Sequence, residues 1–171
     1  MANTPSKPAQ YRALGLSTFA FTLCFAVWTI FSIIGIRISE DLGLSDTQLG
    51  LLMATPILTG SISRLFLGIW TDRYGGRWVF GILMLTTAAC VYLLTFATTY
   101  LMLLVGALGV GLAGGAFIVG VAYTAAWFEP ERQGTALGIF GAGNVGATTT
   151  QRLYERGTMD IVLVDVVEGM P

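Results

Sequence analysis

The sequence has no histidine, a single lysine (Lys7) and two cysteines among its 171 residues. Without histidine, neither histidine-dependent acid–base catalysis nor a histidine metal site can form. Cys24 and Cys90 lie in apolar runs without metal-ligand spacing or a disulfide pattern, which is typical of small buried side chains. The chain is therefore expected to hold no metal, and it is not expected to be an enzyme.

Charge of either sign is also scarce. Charged residues make up 11% of the chain and hydrophobic residues 54%, with a mean hydropathy of +0.73. Soluble globular proteins carry about 25% charged residues, so a compact domain surrounded by water is excluded. A net charge of −1 gives no basic face for nucleic acid. The composition predicts a protein whose main partner is the lipid bilayer.

The few charges are spread unevenly along the chain. The 116 residues from 13 to 128 contain eight charged side chains, whereas the 20 residues from 152 to 171 contain six. In the first stretch they are Arg37, Glu40, Asp41, Asp46, Arg64, Asp72, Arg73 and Arg77. In the second they are Arg152, Glu155, Arg156, Asp160, Asp165 and Glu168. The two stretches are predicted to suit different solvents.

Long apolar runs predict four membrane-spanning helices and part of a fifth. Residues 14–36 carry no charge and lead into charged residues rather than a cleavage site, which favours a retained span over a secretory signal. Residues 47–71 contain one charge. The 51 residues of 78–128 are more than twice too long for one crossing and predict two helices that meet near residues 98–100. A fifth apolar stretch covers 133–147.

The distribution of basic residues predicts that the N-terminus lies in the cytoplasm, with residues 1–13 as a cytoplasmic tail. In that orientation the cytoplasmic segments hold five basic residues and the outer loops hold one, beside acidic residues. They are Lys7, Arg12, Arg73, Arg77 and Arg132 inside, and Arg37 outside.

The loop after the second predicted span contains a spaced motif, G-x-x-x-D-R-x-G-x-R, formed by Gly68, Asp72, Arg73, Gly75 and Arg77. Gly68 would let a neighbouring helix approach closely, Asp72 could cap and form an ion pair, and Gly75 permits a tight reversal. The alternative is a basic loop that merely obeys topology. The motif resembles the signature loop of the major facilitator superfamily, and this resemblance implies a gate at the cytoplasmic face.

Arg64 is the one charge inside a predicted span, about 12 Å along the helix from Asp72. A guanidinium near the middle of a membrane costs at least ~2.5–3.5 kcal/mol, so it normally faces a bundle interior or a cavity. The other spans offer no acidic partner, and an unpaired arginine fork suits a planar oxyanion. The alternative is a side chain that snorkels to the cytoplasmic headgroups.

The fifth apolar stretch reads G-x-G-N-x-G from Gly141 to Gly146, with Asn144 as a polar amide in an apolar setting. Together with Arg64, residues 14–147 resemble the nitrate/nitrite porters of the major facilitator superfamily. The resemblance implies a bacterial inner-membrane protein that moves nitrate and nitrite by alternating access, with Arg64, Asn144, Gly141 and Gly143 at the substrate. The C-terminal half of such a transporter is missing, so a truncated N-terminal part that does not transport by itself is expected.

The same glycines support a second interpretation. Gly141, Gly143 and Gly146 also form a dinucleotide-binding pattern, and Asp165 follows a buried strand-like run where an acidic residue would bind ribose. Residues 141–171 resemble the N-terminus of lactate-dehydrogenase-like malate dehydrogenases, which implies NAD as cofactor. Such enzymes use a catalytic histidine, which this chain lacks, so a chimera joined near residue 147 is the favoured explanation of the tail.

The predicted fold is thus an all-α membrane protein. Residues 14–147 are expected to form four spans and part of a fifth from the N-terminal six-helix bundle of a major facilitator. Residues 148–171 are expected to form a foreign, soluble tail resembling the first helix and second strand of a Rossmann unit.

Overall fold

The computed structural model describes residues 6–141, and helices make up its regular structure. The helices are α1 (Lys7–Trp28), α2 (Ile30–Leu42), α3 (Asp46–Tyr74), α4 (Gly76–Leu94), α5 (Tyr100–Gly111), a 3₁₀ segment (Leu112–Gly115) and α6 (Ala116–Trp127). Residues 130–141 are also helical and are called α7 here. The predicted strand-like tail and the last part of the fifth span lie outside the described residues.

Four of these helical stretches are long and apolar enough to cross a membrane, which confirms the predicted all-α membrane fold. They cover Lys7–Leu42, Asp46–Tyr74, Gly76–Leu94 and Tyr100–Trp127. Their outward faces are strongly apolar, and Leu85 and Trp78 are 74% and 72% exposed. Lipid rather than water is the solvent that suits such surfaces.

The first span begins earlier than its hydropathy predicts. Helix α1 starts at Lys7, seven residues before the apolar run, and has a proline in its first turn, where the missing N–H loses no helical bond. The span is then interrupted at Thr29, which has φ −90° and ψ 1° and separates α1 from α2. The Thr29 hydroxyl donates to the carbonyl of Phe25 at 3.1 Å, so the polar group at the break is satisfied.

One end of the bundle brings together the ends of five helices, α1, α3, α4, α6 and α7. Gly75 alone links α3 to α4, with φ +84° and its N–H donating to the Thr71 carbonyl at 2.9 Å. Such a left-handed backbone angle favours glycine. At the same end the Gln10 side-chain amide donates to the Trp127 carbonyl at 2.9 Å, which satisfies the C-terminus of α6. Gln133 of α7 donates to the Ala125 and Phe128 carbonyls.

The opposite end joins the other two loops. Ser45 and Gln48 form a reciprocal capping box at the start of α3, which satisfies two orphan backbone donors. Thr99 caps α5, and the neighbouring Tyr100 hydroxyl donates to the Gln48 carbonyl at 3.2 Å. The turn between the third and fourth spans therefore lies beside the loop that precedes α3, and successive spans run in alternating directions.

The centre of the bundle is a close contact between α3 and the end of α5 with its 3₁₀ continuation. A Cβ added to Gly111 would lie 2.6 Å from the Thr59 Cβ and 2.9 Å from the Pro56 carbonyl oxygen. Both neighbours belong to or adjoin the backbone of α3, so they cannot yield without moving the helix. Glycine at this position lets the two helices pack backbone to backbone.

Replacement of Gly111 by alanine is expected to lower the free energy of unfolding by about 1–3 kcal/mol, because overpacking forces α3 and α5 apart. The matched control is Gly81→Ala in α4, where an added Cβ meets no described atom within 4 Å. In this control the free energy of unfolding should rise by up to about 1 kcal/mol, because alanine favours a helix more than glycine does. Unfolding in mixed detergent micelles, followed by circular dichroism, measures both, and equal stability of the two variants would contradict the proposed packing.

Candidate functional site

A cavity of about 420 Å³ opens where the first, second and fourth spans meet α7. Its lining is aromatic, small or basic. The lining residues are Phe21, Phe25, Trp28, Arg64, Ala113, Gly114, Phe117 and Gly141. Arg64 is the charged member of this set, so the chemistry of the cavity depends on how that side chain is held.

Arg64 projects from α3 toward the 3₁₀ segment. Its Nε donates a hydrogen bond to the Gly114 carbonyl at 3.1 Å, and its guanidinium carbon lies 5.6 Å from the centre of the Trp28 ring system. Within the described residues this is the one hydrogen bond found for the side chain. As far as residues 6–141 are concerned, the donors of the two Nη nitrogens are therefore left for a ligand, and Arg64 is half-buried where it lines the cavity.

Aromatic rings form two sides of the same cavity. Phe21 and Phe117 lie 5.6 Å apart between ring centres, and Phe25 lies 5.6 Å from Trp28. Behind them Phe140 of α7 stacks on Phe21 at 4.7 Å. These rings exclude water and lower the local dielectric around the guanidinium, which strengthens its attraction for an anion.

The aromatic wall was not predicted from the sequence. A signal for it exists, since Phe21, Phe25 and Trp28 are spaced by four and three residues and so share one face of α1. Because the whole run 14–36 is apolar, that face does not stand out by hydropathy.

The cavity contains two of the residues predicted at the substrate. Arg64 and Gly141 both line it, although they are far apart in sequence. Gly143 and Asn144 lie outside the described residues, as do Gly146 and Asp165 of the dinucleotide pattern. Within residues 6–141 no three histidine, cysteine, aspartate or glutamate side chains come together as a metal site would require.

The predicted gating loop lies at the end of α3, away from the cavity. Arg64 precedes the last residue of that helix, Tyr74, by about 15 Å along the axis. Asp72, Arg73 and Arg77 are exposed, and the Arg73 guanidinium carbon lies 5.6 Å from the centre of the Tyr74 ring.

The close approach of a neighbouring helix, expected at Gly68, lies elsewhere in this region. A Cβ on Gly68 would lie 3.8 Å from the Ile118 side chain, which is ordinary contact, so no close helix approach depends on it. Gly76 is the glycine that permits close packing, because a Cβ there would lie 2.7 Å from the Tyr123 Cβ. The N-cap residue of α4 is Gly75, which has no side chain with which to cap that helix.

Comparison with known proteins identifies the family. The sequence profile of the Major Facilitator Superfamily matches residues 16–150. The chain is 50% identical over 145 residues to the probable nitrate/nitrite antiporter NarK1 of Thermus thermophilus, covering 85% of this chain and 33% of that protein. It is 33% identical over 139 residues to the nitrate/nitrite transporter NrtP of Picosynechococcus, covering 81% of this chain and 26% of that protein. It is 30% identical to the nitrite extrusion protein of Bacillus subtilis, covering 82% and 36%.

The chain spans about a third of the length of these curated relatives. All three are transporters rather than enzymes, and they give no support to the malate dehydrogenase resemblance of residues 141–171. The profile match includes most of the first described span, all of the other three and the loop motif around Gly75. This chain of apolar helices is a multi-pass membrane protein that belongs to the major facilitator superfamily.

Proposed function

We propose that this chain forms the part of a nitrate/nitrite transporter that binds the anion, with Arg64 as the binding residue. The observation that carries the proposal is the Arg64 side chain, which is anchored by its Nε, lines an aromatic cavity and makes no Nη hydrogen bond to any of residues 6–141. The relatives, which include a probable nitrate/nitrite antiporter and a nitrite extrusion protein, support the same substrate class.

The chemistry of nitrate and nitrite matches this site. Both are small, flat anions whose oxygens lie in one plane, and a guanidinium fork can donate to two such oxygens at once. No acidic residue of the four spans competes for Arg64, because the acids from residue 13 to 128 fall near the helix ends. A bound anion therefore neutralises a charge that is otherwise costly inside the membrane.

Alternating access is proposed for the longer transporter, since this chain covers about a third of its relatives. In that cycle the anion is proposed to lie between two bundles, with Gly141, Gly143 and Asn144 proposed, like Arg64, as residues of its path. Gly68, Asp72, Arg73, Gly75 and Arg77 form the cytoplasmic gate. The partner that this chain needs is the second bundle, so the chain alone is proposed to bind the anion without transporting it.

The proposed location is the bacterial inner membrane with the N-terminus in the cytoplasm. The end of the bundle that contains Gly75 carries five basic and three acidic residues, and the opposite end carries one basic and three acidic residues. At the first end these are Lys7, Arg12, Arg73, Arg77, Arg132, Asp72, Glu129 and Glu131, and at the second Arg37, Glu40, Asp41 and Asp46. The positive-inside rule favours the first end as cytoplasmic.

The domain division near residue 147 also stays a proposal. Residues 148–171 are proposed to derive from a gene other than that of residues 14–147, because the density of charge rises there and a dehydrogenase-like pattern follows. NAD binding by this tail is not proposed, since one such unit cannot bury a core of its own.

Replacement of Arg64 by glutamine is expected to weaken nitrate binding about 10- to 100-fold, because the charge-assisted hydrogen bonds are lost. Arg64→Lys should fall between glutamine and the native residue, since it keeps the charge and loses the fork. Isothermal titration of the purified chain in lipid nanodiscs measures the affinity. Arg37→Gln, at the far end of the bundle, is the control.

Native affinity in the Arg64→Gln variant would contradict the binding role. Nitrate uptake into proteoliposomes that contain only this chain, abolished by Arg64→Ala, would contradict the proposal that the second bundle is required.

The orientation predicts opposite labelling of two introduced cysteines. In a chain with Cys24 and Cys90 replaced by alanine, Thr98→Cys should react with a membrane-impermeant thiol reagent in intact cells. Ser6→Cys should react only after the membrane is permeabilised. Both positions are exposed. Ser6 precedes the first span and Thr98 follows the third, so the two lie at opposite ends of the bundle. The reverse pattern would show that the N-terminus lies outside.

Misassembly of two genes explains the proposed join more simply than a real fusion does, and this explanation predicts the sequence of the source DNA. A single long read across the codons for residues 135–155 should continue in the transporter frame beyond codon 147. A read that reproduces residues 148–171 instead would establish a real fusion and contradict a misassembled gene.

A further inference from the structure

Trp28 occupies the last position of α1, immediately before the break at Thr29, and its indole reaches across to α3. The indole Nε1–H donates to the Pro56 carbonyl at 2.9 Å. That hydrogen bond fixes both the position and the rotation of the ring, because the single donor of an indole lies in its plane.

Two glycines make room for this ring. A Cβ added to Gly60 would lie 2.9 Å from the indole Nε1, and one added to Gly114 would lie 2.8 Å from it. Gly60 belongs to α3 and Gly114 to the 3₁₀ segment, so the ring is inserted where these two elements meet. Any side chain at either position would displace the indole.

The inserted ring lies next to the guanidinium of Arg64. The guanidinium carbon is 5.6 Å from the ring centre, within the range in which an aromatic face attracts a cation. The same Gly114 that leaves space for the indole also offers its carbonyl oxygen to the Arg64 Nε at 3.1 Å. Two contacts, one with the Trp28 ring and one with the Gly114 carbonyl, therefore determine where the Nη nitrogens lie.

We infer that Trp28 is a positioning residue that aims the Arg64 guanidinium into the cavity, although it does not itself supply the charge. That the ligand is an anion rests on the proposed function, whereas the contacts of Arg64 with Trp28 and Gly114 do not depend on it. Without the ring, Arg64 keeps its bond to Gly114 but gains freedom at its outer nitrogens. Binding of the anion must then restrict those nitrogens itself, and because this costs conformational entropy the affinity for the anion falls.

The test compares Trp28→Leu and Trp28→Phe in the full 171-residue chain in lipid nanodiscs. Phenylalanine keeps an aromatic face but cannot donate to Pro56. The control is Trp70→Leu on α3, where the native indole is 52% exposed and lines a separate groove beside α4.

Two readouts are needed. The first is the NMR resonance of the Arg64 Nε–H group, which a nearby indole shifts through its ring current. It is assigned by its absence from the spectrum of Arg64→Lys. It should move in Trp28→Leu, move less in Trp28→Phe and stay in place in Trp70→Leu. The second is nitrate affinity, which should fall about 3- to 30-fold in Trp28→Leu and less in Trp28→Phe.

The outcomes separate this inference from the proposed function. If the native chain binds nitrate and Trp28→Leu leaves both resonance and affinity unchanged, the positioning role is wrong and the anion site stands. If the resonance moves but no form of the chain binds nitrate, Trp28 positions Arg64 and the anion site is wrong. A fall in affinity without movement of the resonance would also overturn the inference, because it would mean that Trp28 acts other than through Arg64.

Discussion

The close approach of α3 to the 3₁₀ segment is the contact on which the rest of the structure depends. Because Gly60, Gly111 and Gly114 carry no side chains, the backbone carbonyl of Gly114 comes within reach of the Arg64 Nε. The same approach creates the gap that holds the Trp28 indole. Packing in the membrane interior, where no hydrophobic driving force acts between helices, here also builds the polar site.

The bilayer explains why so much of the fold can be predicted from the sequence. A chain in lipid must satisfy its backbone internally, so runs such as 14–36 and 47–71 can only be helices. The turn at Gly75 and the prominence of Arg64 follow from elementary rules about left-handed backbone angles and isolated charges. The start of α1 at Lys7 was missed because helix propensity, unlike hydropathy, extends past the apolar region.

The finer features of the site could not be predicted because they are three-dimensional. Nothing in the local sequence marks Thr29 as a helix break, since threonine occurs elsewhere in these spans without one, as at Thr55 in α3. The close helix approach expected at Gly68 lies at Gly76 instead, which Tyr123 of α6 contacts. Which glycine is crowded depends on how neighbouring helices cross, and one sequence does not contain that information.

The single-residue connection at Gly75 has a mechanical consequence. Gly75 is the only residue between Tyr74 and Gly76, and Gly76 packs on Tyr123 of α6. The second and third spans are therefore held together at this end by a connection of one residue. Neither α3 nor α4 can slide along the other or rotate alone without distorting the connection at Gly75. The exposed Arg73 and Arg77 flank this joint, and Arg73 belongs to the same continuous helix as Arg64.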